Sequence, residues 1–182
     1  MAKFKIKWNS ERILGMSAMS ISFITLIIFI YQTNLMSKQN YLSILPYLQL
    51  STSNAPENNS FELSIQNYGV GPAIIESVKL HFKGEEYDLK DYNHYLYDFL
   101  VSQDPELDSI THVDKSTLNP GMAIPPNINY RIFEVTTEKD YNSFLKSFVL
   151  IDGNLNWEIK YKSMQDEHWV ITNHTQGPKK LD

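Results

Sequence analysis

Residues 155–173 read LNWEIKYKSMQDEHWVITN, and their period decides the fold class. Leu155, Trp157, Ile159 and Tyr161 alternate with Asn156, Glu158, Lys160 and Lys162. Alternation by two is the pattern of a strand with one buried face; a helix would return its apolar side chains every three or four positions. The polar tip SMQDE (163–167) then turns the chain into HWVITN (168–173), which predicts a β-hairpin.

The same signature recurs upstream. LPYLQLS (45–51) reads as a first strand with Pro46 at its start, and NAPENNS (54–60) as the turn after it. Phe61, Leu63 and Ile65 alternate in the next strand, which NYGVGPA (67–73) interrupts. AIIESVKLHF (73–82) and EYDLK (86–90) flank a hairpin signal at Lys83-Gly84-Glu85. SITHV (109–113) and the alternation of Ile128, Tyr130 and Ile132 add two more strands, with turns at Asn119-Pro120-Gly121 and Pro125-Pro126. Two segments change period. In 91–103, Tyr92, Tyr95, Leu96, Phe99 and Leu100 fall at helical spacing behind Asp91 as N-cap, leaving His94, Tyr97 and Asp98 to point outward. In 137–148, Thr137 and Asp140 resemble a capping box ahead of Tyr141, Phe144, Leu145 and Phe148. Seven or eight short strands with helical insertions predict a mainly β domain, an antiparallel sandwich, with an up-and-down barrel as the alternative.

Ahead of this domain the chain changes character. Residues 13–31 read ILGMSAMSISFITLIIFIY, with no charge from Ile13 to Ser37. Nineteen helical residues span about 28 Å, close to the hydrocarbon thickness of a bilayer. The run exits through YQTNL (31–35) without a small-residue cleavage site, so an uncleaved signal-anchor is expected rather than a removed leader. Lys3, Lys5, Lys7 and Arg12 precede it, whereas Lys38 alone follows closely, which predicts a cytoplasmic N-terminus and an extracytoplasmic domain. The expected organisation is a basic tail (1–12), a transmembrane helix (13–31), a linker or helix extension (32–44), the β-domain (45–176) and a solvated tail (177–182). Gly15, Ala18, Ser22 and Thr25 repeat at 3-4-3 spacing, a small-residue face that suits close helix approach and a homo-oligomer.

Charge narrows the partners. Residues 1–32 hold four of the 16 basic groups and one of the 21 acids, so the remainder carries a net charge of −8. Such a surface repels phosphate backbones, and nucleic acid is not an expected partner. The chain contains no Cys, which excludes disulfides and thiolate chemistry. His81, His94, His112, His168 and His174 show no metal-ligand spacing. Gly69 and Gly71 lack the Lys and helix of a phosphate loop, and Asp152-Gly153-Asn154 lacks the oxygen ladder of a calcium loop. The acid pairs Glu85/Glu86 and Asp166/Glu167 fall on hairpin tips. No catalytic, metal or cofactor site is expected, and the reading is a non-enzymatic binding or scaffolding module with a protein partner. The alternative is a membrane sensor-effector, in defence or stress response, whose β-domain binds a small ligand. A recognition surface is expected at His94, Tyr97 and Asp98, where Tyr-rich amphipathic surface suits an interface.

The N-terminal anchor, the Pro46-Tyr47 pair, the turn formed by Asn67, Gly69, Gly71, Pro72 and Ala73, the Pro120-Gly121 turn and the final Trp-x-Ile-x-Tyr hairpin occur together. This combination resembles a broad group of uncharacterised bacterial membrane-anchored proteins with an immunoglobulin-like sandwich. The resemblance covers most of the chain and implies anchoring and binding. It implies no activity, because its motifs are turn chemistry and core strands.

Overall fold

The computed structural model describes residues 9–173, 175 and 177–181. The basic residues Lys3, Lys5 and Lys7 and His174 lie outside the described residues. The chain divides into two units, residues 1–42 and 43–182.

In the first unit a single helix, α1 (Ser10–Leu42), is 33 residues long, about 50 Å at helical rise. Its most apolar window has mean hydropathy 2.3 and none of it is buried in the protein, so it is one exposed apolar helix of membrane-spanning length. The expected extension beyond residue 31 is helical as far as Leu42.

The second unit is mainly sheet. Strands β1 (Leu48–Ala55), β2 (Ser60–Asn67), β3 (Ala73–Phe82), β4 (Glu85–Asp88), β5 (Val113–Lys115), β6 (Ala123–Ile124), β7 (Asn129–Val135), β8 (Leu155–Lys162), β9 (His168–Thr172) and β10 (Lys179–Lys180) form two antiparallel sheets. One has the order β1-β2-β7-β5 and the other β10-β9-β8-β3-β4, with β6 also on β3. Among the described residues neither sheet closes on itself, so the barrel alternative does not hold. The compact unit begins two residues ahead of the expected boundary, and Lys179–Lys180 of the expected tail pair with β9.

The turn chemistry explains the hairpins. Lys83 (φ 52°) and Gly84 (φ 87°) both take positive φ, which matches the twist of the strands they join, β3 and β4. The NYGVGPA segment does more than turn. Asn67 is fully buried, and its Oδ1 accepts from the N–H groups of Tyr47 (3.1 Å) and Gly69 (2.9 Å). Its Nδ2 donates to the carbonyls of Gly71 (2.9 Å) and Ile124 (3.0 Å), so the amide is fully satisfied. A Cβ on Gly71 would lie 2.0 Å from the Ile44 carbonyl oxygen, and one on Gly69 2.4 Å from that of Leu45. Glycine is required there because the segment entering the domain passes backbone to backbone.

Both sheets contribute to one core cluster, with Phe61, Ile65 and Phe133 from one and Ile75, Leu80 and Tyr161 from the other. The helical insertions α2 (Leu96–Gln103) and α3 (Glu138–Asp152) complete it. Phe99 of α2 meets Phe82, Tyr87 and Tyr92, and Phe144 of α3 sits 4.9 Å from Phe61 and 5.6 Å from Phe133. Burying a Phe stabilises by about 1.5–3 kcal/mol, so these insertions are integral to the fold.

Two local expectations are corrected. The helix expected from Asp91 begins only at Leu96, because Asn93 and His94 take left-handed φ of 52° and 63° and break it; Leu89–Tyr92 form a 3-10 turn instead. Thr137 makes no side-chain cap bond to α3. Asp140 turns away from the helix start to partners on another segment.

Candidate functional site

The expected surface at His94, Tyr97 and Asp98 is not assembled. Tyr97 is 4% exposed, a correction to its outward placement: its hydroxyl donates to the Leu107 carbonyl (3.1 Å) and its ring packs on Phe133. Burial pushes its phenol pKa well above the ordinary value, so it acts there as a neutral donor. Asp98 pairs with Lys115 (2.5 Å). Tyr97 and Asp98 line a shallow depression with Leu107 and Lys115, and His94 is not part of it. His94 is half-buried, its carbonyl taking the Leu118 N–H (2.9 Å). Gly15, Ala18, Ser22 and Thr25 all lie on α1, exposed, and helical spacing puts them on one face. The Thr25 hydroxyl donates to the Ile21 carbonyl within the helix (2.8 Å).

The tightest polar cluster is Thr111, His112 and Asp140. Asp140 is 4% exposed, and its Oδ2 accepts from the backbone N–H of Thr111 (3.3 Å) and of His112 (2.9 Å) and from the Thr111 hydroxyl (3.3 Å). It also lies 2.9 Å from His112 Nδ1. Burial works to raise this carboxyl, but the hydrogen bonds from His112 and Thr111 outweigh it and hold the pKa at about 2. The residue types suggest a nucleophile, a base and an orienting acid, but the geometry does not. Thr111 Oγ1 sits 2.9 Å from the same ring nitrogen, Nδ1, that faces Asp140, whereas a triad places the hydroxyl at one ring nitrogen and the carboxylate at the other. The cluster instead ties the first turn of α3 to the segment before β5. His168 forms a separate pair with Glu76 (2.9 Å). Among the described residues no three His, Asp or Glu side chains converge on a common point.

The more apolar of two sites of similar size is a cleft of ≈330 Å³ lined by strands of both sheets. β1 forms one wall with Leu48, Leu50 and Thr52, and β8 and β9 form the other with Leu155, Trp157 and Ile171. Leu63, Leu96, Leu100 and Phe148 complete an apolar floor. Asp152 is the sole charged side chain among the described lining residues. Asn173 at the lip is engaged in structure: its amide donates to the Leu155 carbonyl (3.0 Å) and to Asn156 Oδ1 (3.0 Å). At the end of α3, Val149 and Leu150 are each 70% exposed, Leu150 on the face opposite the cleft-lining Phe148 and Asp152. Val149 stands one turn before Asp152, so the apolar surface continues outward past the lip.

The wall at β1 is also an edge. Among the described residues β1 pairs with β2 alone, and the Tyr68 N–H donates to the Tyr47 carbonyl (2.8 Å), which fixes the alternation. Gln49, Ser51 and Ser53 therefore face β2 with their backbone groups, while Leu50 and Thr52 direct theirs to the open side. Leu48 N–H, on that side, is met by the Tyr161 hydroxyl at 3.4 Å.

None of this site was named from the sequence, since Leu50, Phe148 and Trp157 read as parts of ordinary strands and helix, and Asp152 belonged to a segment lacking the ligands of a calcium loop. One signal was present. FVLI (148–151) is apolar around the full circumference of the end of α3, more than one buried face needs.

No known family model matches this chain, and no curated protein is significantly similar to it.

Proposed function

We propose that this chain is a non-enzymatic binding module held at a bacterial inner membrane by α1, its immunoglobulin-like sandwich outside and its N-terminus in the cytoplasm. The observation that carries the reading is the apolar cleft between β1 and the β8–β9 hairpin. Its floor is lined by side chains with no chemistry beyond burial, and exposed Val149 carries the apolar surface past the lip. Two antiparallel sheets over one core support the sandwich reading, and the Asn67 turn supports the resemblance stated above. The small-residue face of α1 adds self-association as a second mode of assembly.

A photo-crosslinking residue placed at Thr52, at the cleft wall, tests this in intact cells. A discrete adduct is expected there and none from Met164, an exposed position at the tip beyond the other end of β8. Equal labelling at both positions, or none at Thr52, would remove the cleft as the recognition site.

A second reading follows from size alone. A volume of ≈330 Å³ falls within the range of small-ligand pockets, which suits a sensor-effector whose β-domain binds a small molecule. A cytoplasmic ligand could reach the cleft only if the domain faced inward, so topology separates the two readings.

A further inference from the structure

We infer that the cleft takes an extended, basic peptide segment of another protein, which pairs as an added strand along the open edge of β1 and seats an apolar side chain between the sheets. This rests on the binding-module reading above and names the chemistry of its partner.

Three observations on the same flank converge. The outward N–H and C=O groups of Leu50 and Thr52 form a short hydrogen-bonding edge, and β1 is uncharged over Leu48–Ala55, without the Lys or Pro that usually protects an edge. The apolar cleft opens directly beside that edge, with Leu50 and Thr52 belonging to both. A strand added to β1 would project every second side chain toward Trp157 and Ile171 on the facing sheet, so main-chain bonds would supply affinity and the cleft selectivity. Charge then sets the sign of the partner. Asp152 is the charged group lining the cleft, and the chain beyond residue 32 carries a net −8, which disfavours an acidic segment and a second copy of this domain alike.

The test uses the full chain in nanodiscs of zwitterionic lipid and three blocked octapeptides. One alternates lysine with valine, the second is the same peptide N-methylated at alternate residues, and the third alternates glutamate with valine. The lysine–valine peptide should bind saturably. N-methylation should weaken it roughly ten- to a hundredfold, the loss expected when two edge hydrogen bonds cannot form. Thr52→Pro should weaken it about tenfold, because it removes an outward N–H while leaving the bonds to β2 intact, and Thr52→Val should not. Retained cooperative unfolding of both variants controls for folding. Equal binding of the N-methylated peptide overturns strand pairing, and equal binding of the glutamate peptide overturns the charge argument. If no peptide binds while the Thr52 adduct still forms in cells, the strand inference falls and the binding-module reading stands. A dimer that sediments as such and is lost in Thr52→Pro would give the edge to a second copy and overturn the inference.

Discussion

At Asp140 a buried carboxylate is held ionised by four contacts from Thr111 and His112, and its consequence is a measurable pH dependence. The folded pKa of about 2 lies below the ordinary aspartate value, so the unfolded chain binds the proton first as pH falls. The stabilisation is therefore complete above about pH 5 and is lost as pH falls toward about 2. Asp140→Ala should destabilise the domain by about 1–3 kcal/mol at neutral pH, since it strands the Thr111 and His112 N–H groups. The gap between the variant and the natural chain should narrow across that acid window in denaturant melts. A gap that stays constant from pH 6 to pH 2 would show that the ionised carboxylate contributes nothing. The sequence pointed at Asp140 but assigned it to the wrong partner. A capping box is local, whereas the groups that claim Asp140 lie nearly thirty residues away and only the fold brings them near. Asn67 was legible only as part of a turn for the same reason, because its four bonds join three separate segments.

Among the elements, those with an uninterrupted period were the legible ones. The alternation at Leu155–Tyr161 and the Lys83-Gly84 turn appear where the residues place them. α2 was misphased because Asn93 and His94 adopt left-handed backbone, and a helix restarted at Leu96 carries Tyr97 inward. Left-handed Asn is common in turns, but nothing in a helical period signals two such residues in succession. α1 raises a different question, because its small face at Gly15, Ala18, Ser22 and Thr25 is exposed and its role depends on a second helix. Close approach in lipid relies on packing against small side chains. Replacing Ala18 and Ser22 with Leu should block self-association of the helix in a bacterial inner-membrane two-hybrid reporter. Leu at Met16 and Phe23, which lie largely off that face, should leave it intact. The expected loss is several-fold, as interhelical contacts in bilayers are worth roughly 0.5–2 kcal/mol each. Equal association of both double variants would leave α1 as an anchor alone.

For the molecule as a whole, composition and period gave the division into an apolar helix and a β-domain. The cleft was out of reach because it is assembled from β1, β2, α2, α3 and β8–β9, each contributing residues that look like core in isolation. The central claim is that this domain works outside the cytoplasm while α1 still holds it to the membrane. Alkaline phosphatase fused after Asp182 tests it most directly, assayed in bacterial membranes washed with alkaline carbonate. The enzyme folds only outside the cytoplasm, so the account predicts activity that stays in the membrane pellet, in keeping with the basic residues ahead of α1. Activity released into the supernatant would mean that α1 is removed as a signal sequence. An inactive fusion in the pellet would place the domain in the cytoplasm and contradict the account in favour of an inward-facing sensor.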